Sequence, residues 1–578
     1  MDAATAQPMY RFATCRRKSN RRQPEQRVDH LLCTASGATV YEIVNGRDLS
    51  PGARHLSLAM SSSSETTSGN LPLAAEPIRG SLNTAGIPPV AGGPAVMSSR
   101  CSSGVSTVRE HAAVAESATR ASPELGVVIV NYFGGDRTLR CLDSLQECTW
   151  PAEHLRIVLV DNGSDWDFVA EVRSRYPDVR YIPSRVNLGF GGACNRGFDA
   201  LDDCEYIALL NNDAIPDPGW LEPLVQVLQS EPNVGAATPA VLLKDRYVRV
   251  AIRSPKICPG GPDRRDLGVQ LCGARVDGRE VLDRAKFVRG FWGWEEDEVT
   301  VGGAFAWTNG DGCVLLPVET EPSTLELRLG AGTGRTSAEV STGDLRCGVD
   351  VDIEPTWYAL RLPNISSDIV NNRGMELRSD GSCADRGFLD VDDYEGDAIE
   401  EVFGWSGAAV LLSREFLRAV GMFDEHFFLY YEDADLSWRG RLQGWSYRYV
   451  PESRVRHEHS ATVGSRSALV RHLSDRNRLL MLTKCAPRKM VTAALLDFLQ
   501  ELGSTFRRDV LARIARGRRP IWTSVRSKLR VLAGYTRHAP ASLRLRSAIR
   551  SRATVGDEAI LTFVTPITAE SLRPHRHG

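Results

Sequence analysis

Three apolar runs, each closed by polar residues, set the pattern of the first half of the chain. Leu125-Gly126-Val127-Val128-Ile129-Val130 ends at Asn131-Tyr132. Ile157-Val158-Leu159-Val160 ends at Asp161-Asn162-Gly163-Ser164, and Tyr206-Ile207-Ala208-Leu209-Leu210 ends at Asn211-Asn212-Asp213. Each run is long enough for a buried strand and too short to cross a membrane. Between the first two, residues 137–148 place Leu139, Leu142 and Leu145 on one helical face. Strand, helix and strand at this spacing predict a right-handed βαβ unit of an open α/β sheet. Ligands of such sheets sit beyond the carboxyl ends of the strands. Asn131, Asp161 and the Asn211-Asn212-Asp213 triplet stand at those ends. An Asp there can accept a hydrogen bond from a pyrimidine N–H, and oxygen ligands there suit a hard divalent cation. Each triplet alone is also good turn chemistry; three in order are less easily explained that way.

Two further segments carry chemistry. Residues 187–197, Asn-Leu-Gly-Phe-Gly-Gly-Ala-Cys-Asn-Arg-Gly, form a glycine-rich turn running into a helix. Glycines allow close backbone approach to a ligand, and a helix N-terminus favours phosphate. Downstream, Phe427-Phe428-Leu429-Tyr430-Tyr431 leads into Glu432-Asp433-Ala434-Asp435. Carboxylates at the end of an apolar run lie next to low-dielectric walls, where one can be tuned as a base. The same cluster also suits a helix N-terminus. A strand-like stretch, residues 446–450, precedes Arg456-His457-Glu458-His459, which offers a neutral imidazole ligand at another strand end.

Taken together, these motifs resemble glycosyltransferase family 2, within it the bacterial rhamnosyltransferase and galactofuranosyltransferase-like branch. The similarity covers residues 125–250 and 366–485. It implies a GT-A fold, a nucleotide-sugar donor, a divalent metal (Mn or Mg) and inversion at the anomeric carbon. Carried over, Asp161 would hold the base with Asn131 and Asn187. Gly189, Gly192, Asn195 and Asn212 would complete the nucleotide-sugar site. Asp213 would bind the metal with Asn211, which stands where the family's motif has its first Asp. His457 would complete the metal site, with His459 as a second candidate. Asp433 would be the catalytic base, flanked by Glu432, whose like charge would raise its pKa. Asp435 would cap the helix. Trp405, Ser406 and Gly407 would lie at the acceptor, with Trp405 either facing a sugar ring or filling the core.

Composition bounds the rest. The 578 residues allow about four domains. A net charge of −2 sets the whole chain apart from nucleic-acid binders. The 13 cysteines are an odd count without a CxxC pair, which points to a reducing compartment and away from a disulfide framework. Residues 1–123 are rich in Ser, Ala, Gly, Pro and Thr and read as a disordered tail, or as a region upstream of a later start at Met60 or Met97. Residues 255–365 interrupt the motifs with short β-rich runs and read as an inserted β-sandwich. Its Phe291, Trp292, Trp294, Trp307 and Trp357 would fill the sandwich core or stack on a glycan.

Residues 124–254 and 366–470 are therefore the two halves of the GT-A Rossmann-like domain, nucleotide-binding and acceptor-binding. Residues 471–578 form a basic helical region. From 465 to 552 there are 21 Lys and Arg against 4 Asp and Glu. Such helices suit an anionic membrane surface, with nucleic acid as the rival ligand. No apolar stretch reaches membrane-spanning length. The reading is an inverting, metal-dependent enzyme of cell-wall or polysaccharide biosynthesis, cytoplasmic or peripheral on the inner face of the plasma membrane. Its donor would be a TDP- or UDP-linked rhamnose or galactofuranose, and its acceptor a glycan or lipid-linked glycan hydroxyl. The alternative is a carbohydrate-binding or scaffold protein with a decayed catalytic domain.

Overall fold

The computed structural model describes residues 10–12, 14–17, 122–163, 166–260, 263–297, 303–362, 365–393, 398–458 and 468–567. The expectation for residues 1–123 falls almost wholly outside these. Within it, Tyr10–Phe12 and Thr14–Arg17 are short strands. His459 also lies outside the described residues.

The three apolar runs become the parallel heart of a ten-stranded mixed sheet. They are β1 (Leu125–Asn131), β2 (Leu155–Asp161) and, after β3 (Arg180–Pro183), β4 (Tyr206–Asn211). β1 lies between β2 and β4, parallel to both, with Asn131 opposite Asp161 and Val130 opposite Asn211. Strand alternation divides the side chains between two cores. Val127 and Ile129 face α1 (Asp136–Gln146) with Leu139, Leu142 and Leu145. Val128, Val158 and Val160 face α2 (Gly189–Asp199).

The sheet continues through β5 (Val234–Leu243), β6 (Ala409–Ser413) and β7 (Ser446–His457). β6 runs antiparallel between β4 and β5, and β7 runs parallel to β5. The acidic motif opens α3 (Glu432–Leu442), which packs its Leu436 on the α2 side.

Between β5 and β6 the chain leaves to build nine strands, from Arg246–Arg253 to Thr356–Arg361, of a second, eleven-stranded and mainly antiparallel sheet; Tyr10–Phe12 and Thr14–Arg17 supply the other two. This corrects the expected sandwich. There is one sheet, curling toward a barrel around a single core, rather than two sheets packed face to face. It also begins ahead of residue 255. Strict alternation drives it: Leu325, Leu327 and Leu329 are buried while Glu326 and Arg328 are half-exposed. Trp307 is buried, whereas Trp292, Trp294 and Trp357 are half-buried. The Trp357 ring lies under the Arg275 guanidinium, 4.0 Å from its centroid. The chain returns through Val370–Asn372, which pairs with β5.

The C-terminal region is helical: α4 (Ala468–Cys485), α5 (Arg488–Phe506) and α6 (Thr523–Ser551). A buried ion cluster joins it to α3. Asp435 pairs with Arg439 at 2.9 Å and with Lys484 of α4 at 2.8 Å. Asp435 therefore does not cap its helix; Tyr431 occupies the N-cap position. No helix among the described residues is long and apolar enough to cross a membrane. Nine described cysteines are free. Cys347 is disulfide-bonded.

Candidate active site

A cleft of about 980 Å³ opens at the carboxyl ends of β1 and β4. That volume suits a ligand of nucleotide-sugar size. Its walls gather Asn187, Asn211, Asn212, Asp213, Asp433 and His457, six residues from four separate stretches of the sequence.

At one end, the buried Asn131 donates from Nδ2 to Asp161 Oδ1 at 3.1 Å. Its Oδ1 accepts from Thr138 at 2.7 Å and from Asn212 Nδ2 at 3.1 Å. The Tyr181 hydroxyl donates to Asp161 Oδ2. The strand ends are thus locked into one polar network before any ligand arrives. Asp161 lies behind the cleft wall, while Tyr132, Asn162 and Asn187 line it. Asn162 ties the wall to the glycine-rich turn: its Nδ2 donates to the Gly189 carbonyl at 3.1 Å.

Gly189 is dictated by geometry. Its φ is +75°, and a Cβ there would come 2.2 Å from the Phe428 carbonyl oxygen. That carbonyl accepts from the next amide, Phe190 N–H, at 2.7 Å. The glycine-rich turn is therefore bonded directly to the loop ahead of the acidic motif. Gly192 and Asn195, placed at the donor by resemblance, serve packing instead. Asn195 holds residues 423–425: it donates to the Phe423 carbonyl at 3.0 Å and accepts from the Phe423 N–H at 3.0 Å. Neither lines the cleft.

The Asp213–His457–Asn211 group, expected on the metal side, comes together where β4 and β7 end. His457 Nε2 lies 3.0 Å from Asp213 Oδ1 and 3.2 Å from Asn211 Nδ2. Its Nδ1 lies 2.7 Å from Asn371 Oδ1, an acceptor only, so with the amide in this orientation Nδ1 carries the ring proton. Nε2 faces the Asp213 carboxylate, a pairing that a shared cation would stabilise. Burial works to raise the Asp213 pKa, but the hydrogen bond and charge of His457 outweigh it and hold the carboxyl below its ordinary value. One carboxylate, one imidazole and one amide oxygen fit a divalent ion whose remaining ligands come from phosphate and water. With Asn211 in the third place, no group of three His, Cys, Asp or Glu side chains suited to a metal occurs among the described residues.

Across the cleft sits the acidic motif. Asp433 Oδ2 accepts from Gly407 N–H at 3.1 Å, and Oδ1 from Ala434 N–H at 2.8 Å. Its pKa is raised, and burial is the cause; the two amides oppose the rise. Glu432 stands beside it, and both carboxyls are raised, with burial the first cause. Burial and then the Asp433 charge push Glu432 well above the usual range. Glu432 Oε2 is buried without a hydrogen-bond partner, the environment of a protonated carboxyl.

Ser406 and Gly407 line the cleft. Trp405 does not. It is fully buried, 6.1 Å from the Phe423 ring, and offers no face to a sugar.

Two features, a strained loop and the residue that holds it, escaped the sequence reading; a third, Asp385, was legible only as part of a loop at the site. Phe428, Tyr430 and Tyr431 all have positive φ, 65°, 67° and 70°, immediately before Glu432. Such backbone is costly for bulky residues. Asn477 of α4, fully buried, holds it by donating from Nδ2 to the carbonyls of Phe427, Leu429 and Tyr430 at 2.9, 2.9 and 2.7 Å. Asp385 shares the cleft with Asp433. Burial pushes it up to about 6, against a hydrogen bond from Asn372 and with some help from the Asp433 charge. The positive-φ loop leaves no composition signal, because its residues are aromatic rather than glycine. Asp385 was visible only as part of a polar Asp-Arg-Gly loop.

The model of glycosyl transferase family 2 matches residues 126–271. This segment belongs to glycosyltransferase family 2. The family match covers β1 to β5 and runs into the second sheet; the acidic motif and His457 lie outside it. Two curated relatives are the N-acetylglucosaminyl-diphospho-decaprenol L-rhamnosyltransferases of Mycobacterium tuberculosis strains CDC 1551 / Oshkosh and ATCC 25618 / H37Rv. Each is 30% identical over 148 residues, 24% of this chain and 48% of the relative. The chain thus spans about half the length of these relatives. Two solved structures are similar at low level. One is GalNAc-T7 with UDP, GalNAc and Mn2+, 13% identical, covering 63% of this chain and 48% of that one, TM-score 0.35. The other is a mannosyltransferase of Pyrobaculum calidifontis with GDP-Man and Mn2+, 12% identical, covering 76% and 79%, TM-score 0.30. Scores this low carry no argument about this chain.

Proposed function

We propose that this chain transfers a sugar from a nucleoside-diphosphate donor to a hydroxyl of a glycan or lipid-linked glycan, with inversion. The observation that carries this reading is one cleft lined both by the half-buried carboxylate Asp433 and by Asp213, His457 and Asn211. An enzyme of this class needs both in one cavity. The leaving diphosphate gains negative charge, and the acceptor hydroxyl loses a proton. Tyr132 and Asn187 would border the base, with Asn131 and Asp161 fixing the strand ends behind them. Asp213, His457 and the Asn211 amide oxygen would hold a divalent ion, manganese or magnesium, whose charge offsets that of the diphosphate. Asp433, fixed by two backbone amides, would take the acceptor proton as the hydroxyl attacks the anomeric carbon from the face opposite the diphosphate. Glu432, kept neutral by burial, would leave the second carboxyl uncharged beside it. Ser406 and Gly407 would border the acceptor.

The Mycobacterium relatives are named for rhamnose and for a diphospho-decaprenol acceptor. A rhamnosyl or galactofuranosyl donor carried by thymidine or uridine diphosphate, and a polyprenyl-linked acceptor on the cytoplasmic side, follow as the finer reading. Calorimetric titration of thymidine and uridine diphosphates into the full chain, with manganese and with chelator, tests the donor half. Binding tightened by metal and weakened by Asp213→Asn is the expected result. Equal binding with and without metal, unchanged in that variant, would remove the metal-held diphosphate from the account.

A further inference from the structure

From the far end of α5 the chain passes through a π-helical turn, Arg507–Leu511, and one short helical turn, Ala512–Ala515. It reverses at Gly517, whose φ is +66°, and returns as α6. This tip is an ordered reversal. Arg513 Nε donates to the Arg519 carbonyl at 2.8 Å, and Ile521 N–H donates to the Asp509 carbonyl at 2.9 Å. Yet it presents large apolar side chains to solvent: Ile514 is 55% exposed, Leu511 49%, Trp522 43% and Ile521 40%. Between residues 510 and 522 there are four arginines and no acidic residue. Arg516, Arg518 and Arg519 are exposed. The nearest carboxylate, Asp509, is occupied by Arg508 at 2.8 Å.

We propose that this hairpin tip docks the protein onto an anionic lipid bilayer, with the four apolar side chains entering the headgroup boundary and the arginines meeting lipid phosphates. Two physical points select this partner. Exposed apolar surface costs free energy in water, and the bilayer boundary removes it while leaving neighbouring arginines at the anionic headgroups. Polynucleotide phosphates would engage the arginines but leave Leu511, Ile514 and Ile521 in water. A second copy of the same tip would set like charges face to face. The tip lies apart from the cleft, so its failure and the failure of the proposed transferase reading are separable.

The test is co-sedimentation of the full chain with vesicles of phosphatidylcholine alone or mixed with phosphatidylglycerol. The expected result is binding only to the mixed vesicles, weakened by salt. Arg518→Glu with Arg519→Glu should weaken it by at least about fivefold, and Ile514→Ser with Trp522→Ser should also abolish most binding at low salt. Circular dichroism melting of each variant separates lost docking from lost folding. If the apolar variant misfolds, Leu511→Ser alone takes its place. Binding unchanged in the apolar variants, or absent from anionic vesicles, overturns the proposal. So does duplex DNA binding that is stronger than vesicle binding and indifferent to the apolar substitutions; that outcome makes the tip a nucleic-acid surface.

Discussion

Asp433 and Trp405 show how differently two residues of one motif-rich region can be read. Asp433 stands in the cleft, held by the Gly407 and Ala434 amides, with burial raising its pKa. A base works only when ionised. Below the raised pKa it is protonated, so kcat/KM should fall as pH falls through a value above the ordinary carboxylate range. Asp433→Asn should remove that acid limb and lower kcat by about a hundredfold or more, with donor affinity kept. A pH–rate profile of both proteins decides this, and an unshifted limb in the variant would assign it to another group. Trp405 shares its stretch with cleft residues, but the ring is fully buried. Trp405→Ala should therefore cost about 3–5 kcal/mol of folding stability, read by denaturant unfolding, rather than a selective loss of acceptor binding. The strand-end residues were legible because β1, β2 and β4 are parallel, and parallel strands bring their ends to one edge. The side a tryptophan faces was not legible, since the same indole suits a core or a sugar.

At the scale of elements, the loop from Phe428 to Tyr431 is the strained piece that aims the acidic motif. Asn477 holds the carbonyls of Phe427, Leu429 and Tyr430 with one amide. Asn477→Ala should release about 1–3 kcal/mol of backbone strain into disorder. It should lower kcat while leaving nucleotide affinity near its original value, a split that steady-state kinetics resolves. The Asp435–Arg439–Lys484 cluster holds α3 to α4. Lys484→Met should cost about 3 kcal/mol, because Lys484 also serves Asp424 at 2.6 Å and both carboxylates lose a buried cation. Thermal unfolding measures it, and an unchanged midpoint would show the cluster to be energetically idle. The helices and core strands followed from periodicity. The inserted region did not, because short alternating strands look the same whether they pair into two stacked sheets or one curled sheet. Asp435 likewise looked like a cap, since its partner lies 49 residues away on another helix.

The whole molecule is an α/β sheet interrupted between β5 and β6 by a second, near-barrel sheet, and continued by basic helices. The interruption splits the metal-side group: Asp213 precedes the insert and His457 follows it. The chain must close the first sheet through β6 and β7 before the cleft exists, so the site is a property of the complete fold. The central claim is that this cleft performs metal-dependent sugar transfer. Its most direct test is release of nucleoside diphosphate by the purified full chain from thymidine- and uridine-linked sugars, with membrane extract as acceptor source. Manganese, magnesium and chelator are compared, and Asp433→Asn is run beside the parent. The account expects release from one donor class that stops with chelator and falls about a hundredfold or more in Asp433→Asn. Turnover that survives both chelator and the substitution, or the absence of both binding and turnover with every donor, would contradict it.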